Sequence, residues 1–177
     1  MIVGNVEIEI TKGNIVQQDD IQAVVNAANA QLQIGGGVAG AIHKAAGKEL
    51  DKETQPLAPI RPAEAVITSA PNLPNDHIIH VLGPVYGTDK PEEEFLANCY
   101  RNALELANEK GIQSIAFPSI STGAFGYPIE EASTVVLSTL KVVLPPLKNL
   151  KLVRLVLFSD QEYNLYTDKL ALLKEQI

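Results

Sequence analysis

The stretch NAANAQLQIGGGVAGAIHKAAG, residues 26–47, does not have the pattern of an ordinary strand or helix. Two asparagines frame two alanines, three glycines follow at 35–37, and only then does the sequence become typical of a helix. From position 26 to position 43 there is no Lys, Arg, Asp or Glu. Glycine lets the backbone approach a ligand closely, and a helix N-terminus offers free N–H groups to anions. The stretch therefore predicts a backbone site for phosphate groups.

Outward from this stretch, apolar runs alternate with helical patterns. The run AVVNAA at 23–28 is apolar except for its asparagine, as in a strand that is covered on both faces. In the second half of the chain, strands and helices alternate, which predicts an α/β layer with helices on both faces of a mixed sheet. The predicted strands are 6–11, 23–28, 64–70, 77–83, 114–120 and 152–158, and the predicted helices are 37–54, 91–111, 129–144 and 160–177.

The segment after the strand at 114–120 resembles the first stretch in character. It reads PSISTGAFGYP, residues 118–128, with two glycines, two prolines and no charged residue. Successive N–H groups in such turns form anion-binding nests, although a plain connection to the next helix is the alternative. Ligands of α/β sheets bind beyond the carboxyl ends of the central strands. We therefore expect the two uncharged loops to face each other and to hold a diphosphate, with 158–162 leaving the same edge.

Length and composition limit the possible functions. The 177 residues predict one domain, 1–177, and the net charge of −7 argues against a non-specific nucleic-acid binder, which needs a basic surface. Cys99 is the one cysteine, so no internal disulfide can form, and a structural thiol is favoured over a nucleophile. No apolar run approaches the roughly 18 residues of a membrane span, and no signal peptide is recognisable. A monomer in the cytoplasm, without a membrane partner, is expected.

Some familiar motifs can be set aside. GGGVAG at 35–40 formally matches G-x-G-x-x-G, but NAQLQI separates it from the preceding strand and no acidic strand end follows at the required distance. No G-x-x-x-x-G-K-[ST] is present, so P-loop chemistry is unsupported. His77 and His80 lie three apart in a strand and face opposite sides, so they predict no metal site. His43 lies on a helix flank, where a packed or solvated imidazole is favoured over a catalyst.

The two asparagines of NAAN are assigned different roles. Asn29 ends the strand, and its amide can both donate to and accept from a sugar hydroxyl. Asn26 lies inside the apolar run. A buried amide that holds loop backbone is the favoured interpretation of Asn26, and a ligand contact is the alternative.

Four stretches in this order, VVNAAN, GGGVAGAIHKAAG, HVLGPVYG and PSISTGAFGYP, resemble the macrodomain family. The resemblance covers essentially the whole chain. It implies a three-layer α/β/α sandwich with a mixed, mostly parallel six-stranded central sheet. It also implies binding of ADP-ribose, free or attached to proteins or acetyl groups, and in many members hydrolysis of the bond at the distal ribose. The expected partner is ADP-ribose or an ADP-ribosylated protein, with no cofactor and no metal.

The resemblance also assigns roles residue by residue. Asn29 would hydrogen-bond the distal ribose and position a water molecule, and His43 is a weaker catalytic candidate. Phe158, at the end of the last strand, would pack on the adenine, although a core position suits the sequence equally well. The remaining ligand-binding residues implied by the resemblance are Asn14 and Ile15 at the adenine, Gly35, Gly36, Gly37 and Val38 at the distal ribose and diphosphate, and Ser121, Thr122, Gly123, Ala124, Phe125 and Gly126 around the diphosphate.

The sequence departs from the family in three places. The junction that usually reads G-D-I is Gly13-Asn14-Ile15 here, so the hydrogen bond from the adenine amino group loses charge assistance. Hydrolytic members most like this chain read G-G-G-V-D-G, with an Asp linked to the activated water. Position 39 is Ala, which cannot act as a base. Viral members with G-G-G-V-A-G tend to have a His before the triple glycine, where this chain has Ile34.

Three functions remain open at this point. The protein can bind ADP-ribose and hydrolyse, weakly or moderately, its esters with acidic side chains or acetate. It can be a non-catalytic module that reads or sequesters ADP-ribose, which Ala39 and Ile34 favour. A phosphatase acting on ADP-ribose 1″-phosphate is the third possibility.

Overall fold

The fold of this protein is a mixed β-sheet flanked by helices. The computed structural model describes residues 1–175. The strands are β1 (Ile2–Val3), β2 (Val6–Lys12), β3 (Ala23–Ala27), β4 (Ala65–Ser69), β5 (His77–Val81), β6 (Ser114–Phe117) and β7 (Leu152–Leu157). The helices are α1 (Gly37–Ala46), α2 (Lys48–Thr54), a 3₁₀ turn at Gln55–Leu57, α3 (Glu92–Glu109), α4 (Ile129–Val143) and α5 (Asp160–Glu175).

The strands follow the order β1-β2-β7-β6-β3-β5-β4. The pairs β2–β7, β7–β6, β6–β3 and β3–β5 are parallel, whereas β1 and β4 join the two edges in antiparallel fashion. The prediction of a mixed, mostly parallel sheet is confirmed, including the antiparallel pairing of the 64–83 segment. The sheet has seven strands instead of the predicted six, because the two-residue strand β1 is too short to produce a periodic pattern.

Alternation along the central strands places helices on both faces. Val24, Ile78 and Ala116 pack with residues of α1 and α2 on one face. Their neighbours Val25, Ile79 and Ile115 pack with residues of α3, α4 and α5 on the other face. Successive side chains of a strand point to opposite sides, so strands buried on both faces must be apolar at nearly every position. The three-layer α/β/α architecture follows directly from these continuous apolar runs.

The predicted helix at 37–54 is two helices. Gly47 separates α1 from α2 with a φ of 80°, a left-handed conformation that suits glycine and ends a helix. The N–H of Gly47 still donates to the carbonyl of His43, which closes the last turn of α1. The last predicted helix is confirmed as far as Glu175, and its final two residues lie outside the described part of the chain.

Parallel pairing brings four connections to one edge of the sheet. Because β2, β7, β6 and β3 are parallel neighbours, the segments after their carboxyl ends emerge side by side.

Within residues 1–175, no helix is long and apolar enough to cross a membrane. Cys99 is fully buried in α3, and burial raises the pKa of its thiol to about 12, which suits a structural residue and not a nucleophile.

Candidate functional site

A cleft of about 680 Å³ lies along the carboxyl edge of the sheet. Two loops contribute most of its lining: the first glycine loop, defined as residues 28–36, through 28–29 and 35–36, and the second glycine loop, defined as residues 118–128, through 118–125. The first turn of α1 and the segments after β2 and β7 complete it. The predicted residues that line it are Asn14, Ile15, Asn29, Gly35, Gly36, Gly37, Val38, Ser121, Thr122, Gly123, Ala124, Phe125 and Phe158. The cleft therefore brings together the two loops that the sequence predicted to face each other.

The first glycine loop is held by Asn29. Its amide nitrogen donates to the carbonyl of Gln33 at 2.8 Å, and its amide oxygen accepts from the N–H of Gln33 at 3.0 Å. The loop also lies close against α1, since a Cβ atom at Gly40 would collide with the carbonyl oxygen of Gly35. Asn29 thus braces the loop as well as lining the cleft. One N–H and one lone pair of its amide remain for a ligand.

The second glycine loop turns back on itself beside the cleft. Ser121 has a φ of 68°, and its carbonyl accepts from the N–H of Tyr127 at 2.9 Å, while Gly126 donates to the carbonyl of Gly123. Gly83, after β5, supports this turn closely, because a Cβ atom there would collide with the Ser121 hydroxyl. Gly126 is not among the residues that line the cleft, and its contact with the ligand stays a prediction. With a φ of 75°, it shapes the end of the turn.

Both loops present main-chain donors without acceptors. Among residues 1–175, no hydrogen bond is formed by the N–H groups of residues 34–36 in the first loop or 122–125 in the second. Helix α1 begins between them, with no side-chain cap at Gly36 and no acidic residue in its first turn. The free N–H groups of a helix start carry partial positive charge. This arrangement can bind a diphosphate without a lysine or an arginine.

One end of the cleft suits a purine. Asn14 and Ile15 follow β2 there, and Phe158 follows β7 with a side chain that is 87% exposed. The exposure excludes the alternative that Phe158 is a core residue, and leaves a free ring face for stacking. The amide oxygen of Asn14 already accepts from the N–H of Val16 at 3.1 Å, so one lone pair remains for an exocyclic amino group.

The opposite end is apolar and uncharged. Ala39 lines it with 4% exposure, and Phe125 packs beside Ala28 and Leu32. Ile34 projects outward and is 64% exposed. Among the described residues that line the cleft, Glu162 is the one ionisable side chain, and it stands on the first turn of α5 beside Phe158. The first-loop end therefore contains no side chain that can act as a general base.

The analysis of the sequence missed Glu162 as a site residue. Its carboxylate oxygen Oε1 lies 3.0 Å from the hydroxyl of Thr122 and 3.3 Å from that of Ser119, both in the second glycine loop. A usable signal was present, because Ser159 and Glu162 form the S-x-x-E pattern of a helix start directly after the last strand. The local pattern did not reveal that this carboxylate turns away from its own helix toward a distant loop.

His43 is placed away from the cleft, so the geometry gives no support to its predicted catalytic role. His43 is 4% exposed and faces inward from α1, toward His80. Together with Asn26, Thr68 and His80 it forms what we call the buried polar cluster. Its ring lies 6.4 Å from that of His80, and its Nδ1 is 3.4 Å from Asp51 Oδ1 without hydrogen-bond geometry. Helical periodicity explains this placement, because the flank of α1 that carries His43 faces the sheet.

The cluster is organised around His80. Asn26 Nδ2 donates to Nδ1 of His80 at 3.0 Å, which requires the proton of the neutral ring to be on Nε2, where it meets the Thr68 hydroxyl at 2.9 Å. Burial, and secondarily the nearby His43, lower the pKa of His80 from 6.5 to about 3. Asn26 is fully buried as expected, but its side-chain partner is this imidazole instead of loop backbone.

Comparison with known proteins agrees with this geometry. The Macro domain family model matches residues 25–136. A macro domain-containing protein of Caldanaerobacter subterraneus subsp. tengcongensis is 43% identical over 166 residues, covering 91% of this chain and 94% of that protein. The structure of an Oceanobacillus iheyensis macrodomain with ADP superposes with a TM-score of 0.94 at 44% identity, covering 100% of this chain and 96% of that one.

A more distant structure has the same architecture. The Trypanosoma brucei macrodomain in complex with ADP-ribose superposes with a TM-score of 0.86 at 33% identity, covering 92% of this chain and 68% of that chain. The similarity thus extends over the sheet, both helical layers and the two loops that form the cleft, in sequence as well as in structure. Because the family model, a full-length relative and these structures agree with one another, this chain belongs to the macrodomain family.

Proposed function

We propose that this protein binds ADP-ribose, free or attached to a protein, in the cleft between the two glycine loops. The observation that carries the proposal is the set of N–H groups, from residues 35–36 and 122–125, that have no acceptor within residues 1–175 and surround a cleft with almost no ionisable side chains. Such donors suit a diphosphate held in one specific position. They also explain how a chain with a net charge of −7 can bind an anion.

The two ends of the cleft define the orientation of the ligand. Adenine would stack on Phe158 and donate its amino group to Asn14, and the diphosphate would lie between the glycine loops. The distal ribose would then reach Asn29 and Phe125. Related macrodomains, one with ADP and one in complex with ADP-ribose, support ADP-ribose as the ligand.

Calorimetry with ADP-ribose, ADP and AMP tests the proposal. We expect ADP-ribose to bind most tightly, ADP less tightly and AMP weakest, because each truncation removes groups that the two loops would contact. Ribose 5-phosphate, which lacks the adenine and the second phosphate, serves as the control and should bind at least about 100-fold more weakly than ADP-ribose. Equal affinity for AMP and ADP-ribose would contradict a diphosphate site between the loops.

A second candidate function is slow hydrolysis of ADP-ribosyl esters. Asn29 keeps one N–H and one lone pair free beside the loop amides, which suits a water molecule next to the distal ribose. Water would attack the ester carbonyl, the carboxylic acid would leave as one product and ADP-ribose as the other. The loop N–H groups would stabilise the leaving sugar oxygen. Ala39 supplies no base at this end, so a low rate is expected.

Label release from a mono-ADP-ribosylated protein distinguishes the hydrolase from the reader. We expect slow release by the wild type and release at least about tenfold faster by Ala39→Asp, since a carboxylate there can accept a proton from water. Ala39→Asn is the matched control, because it has nearly the same size without a basic oxygen. If the wild type releases no label while Ala39→Asp does, the hydrolase hypothesis fails and the protein is a reader.

A further inference from the structure

The carboxylate of Glu162 has an unusual position for a residue at a helix start. Ser159 caps α5, and its hydroxyl accepts from the N–H of Glu162 at 3.2 Å. In a capping box, the side chain of the glutamate returns to the capping residue. Here the carboxylate points to the second glycine loop instead, where it joins the hydroxyls of Ser119 and Thr122.

These contacts leave half of the carboxylate free. Ser119 Oγ lies 2.6 Å from Thr122 Oγ1, and Thr122 donates to Oε1 of Glu162 at 3.0 Å, so one oxygen satisfies the hydroxyl pair. Oε2 has no hydrogen-bond partner within residues 1–175. Because Glu162 lines the cleft, this oxygen is an acceptor that a bound molecule can reach.

The position of this acceptor along the cleft identifies the part of the ligand that meets it. Glu162 stands in the first turn of α5, shortly after Phe158, where the adenine would stack. Its side chain contacts the loop that would hold the diphosphate. The sugar that joins an adenine to its first phosphate must pass between these two places. That sugar carries vicinal hydroxyls, which are donors suited to a carboxylate oxygen.

We propose that Glu162 determines specificity at the adenosine ribose: its free oxygen accepts from the 2′-hydroxyl and its charge rejects ligands that carry a 2′-phosphate. The inference rests on the proposed binding of ADP-ribose and names which form of that ligand the site takes. An acidic residue on the 2′-hydroxyl is how many dinucleotide sites exclude the phosphorylated cofactor.

The surrounding charges strengthen the rejection. Lys12, at the end of the adjoining strand β2, is paired with Asp160 at 2.6 Å, which reduces its capacity to neutralise a phosphate. No lysine, arginine or histidine is among the described residues that line the cleft. A 2′-phosphate would therefore bring at least one full negative charge next to an unneutralised carboxylate.

Calorimetry with ADP-ribose and with ADP-ribose 2′-phosphate tests the inference. We expect the wild type to bind the phosphorylated ligand at least about 30-fold more weakly, and Glu162→Gln to reduce that ratio by about tenfold. Glutamine keeps the acceptor for Ser119 and Thr122, so the loop remains in place. Glu131→Gln is the matched control, because Glu131 accepts from Tyr86 outside the cleft and should leave the ratio unchanged.

Salt dependence separates charge from shape. In the wild type, the ratio of the dissociation constants for ADP-ribose 2′-phosphate and ADP-ribose should fall as ionic strength rises, because salt screens the repulsion between the carboxylate and the phosphate. In Glu162→Gln that ratio should change little, because this repulsion is absent. Equal wild-type affinity for the two ligands, or an unchanged ratio in Glu162→Gln, would overturn the inference and leave ADP-ribose binding intact. Failure of the wild type to bind ADP-ribose at all would overturn the proposed function together with this inference.

Discussion

The cleft and the buried polar cluster are neighbouring parts of the molecule, and each contains an asparagine of the NAAN stretch. Polar groups are enclosed by protein in the cluster and face a cavity in the cleft. In the cluster, Asn26 and His80 have no exposed surface and are hydrogen-bonded to each other. In the cleft, three residues along from Asn26, Asn29 is partly exposed, and the loop amides beside it lack acceptors in the described structure. A polar group enclosed in protein depends on protein partners, whereas one that faces a cavity is free for a ligand. In the cluster, Asn26 Nδ2 and both ring nitrogens of His80 have such partners, while Asn26 Oδ1 and the ring nitrogens of His43 have none among residues 1–175. Substitutions in the two regions should therefore separate stability from binding.

The largest effect is expected for Gly123→Val in the second glycine loop. A Cβ atom at Gly123 meets no atom within 4 Å, so the substitution should be tolerated by the fold. The added methyl groups would occupy the proposed path of the diphosphate, and we expect ADP-ribose affinity to fall by about 100-fold. Calorimetry measures the affinity, and thermal unfolding checks the fold. Unchanged affinity would contradict the assignment of this loop to the diphosphate.

The opposite outcome is expected for His80→Leu in the buried polar cluster. The substitution leaves the amide of Asn26 buried without its partner, so the free energy of unfolding should fall by about 2 kcal/mol. ADP-ribose affinity should stay within about threefold, since His80 does not line the cleft. Denaturant unfolding measures the loss. The double variant Asn26→Leu/His80→Leu should lose less than the sum of the two single variants, because it removes both partners.

A pH effect on stability should come from the same cluster. The pKa of His80 is about 3 in the fold against 6.5 in the unfolded chain, so the unfolded state takes up the proton first. Stability from this group is complete above pH 6.5 and is lost as the pH falls toward 3, by up to about 1.4 kcal/mol per pH unit.

Measuring the free energy of unfolding at about pH 7 and at about pH 5 isolates this effect, because most carboxylates stay ionised over that range. His80→Gln should have a flatter profile of unfolding free energy against pH than the wild type. His77→Gln is the matched control, because it removes a histidine of the same strand that lies outside the buried polar cluster. Parallel profiles for wild type and His80→Gln would contradict the assignment of this pH dependence to His80.

The smallest effect is expected for Asn29→Ala. Loss of one hydrogen bond to the distal ribose should weaken ADP-ribose binding by about fivefold. ADP, which lacks that ribose, should bind with nearly unchanged affinity. Calorimetry with both ligands therefore separates a direct contact from the bracing of the first glycine loop through Gln33. A similar loss for ADP and ADP-ribose would mean that bracing is the main role of Asn29.

Much of the fold could be predicted from the sequence, because periodicity and punctuation are local properties. Apolar runs covered on both faces indicated the parallel strands, and the glycine and proline positions indicated most helix ends. The break at Gly47 and the short strand β1 were missed. A single glycine within a helical pattern is ambiguous, and two residues contain no period. Periodicity alone could not assign the site residues. They were assigned from the resemblance of four spaced motifs to the macrodomain family.

The sequence by itself determined the α/β class, the two uncharged loops and the absence of an acid at position 39, because these depend on residue type and order. Only the tertiary structure decided that Glu162 enters the cleft, that His43 does not, and that Asn26 is paired with His80. These outcomes depend on contacts between residues far apart in the chain, such as Glu162 and Thr122. The direction of a side chain toward a distant partner is set by how helices pack on the sheet, which no local pattern records.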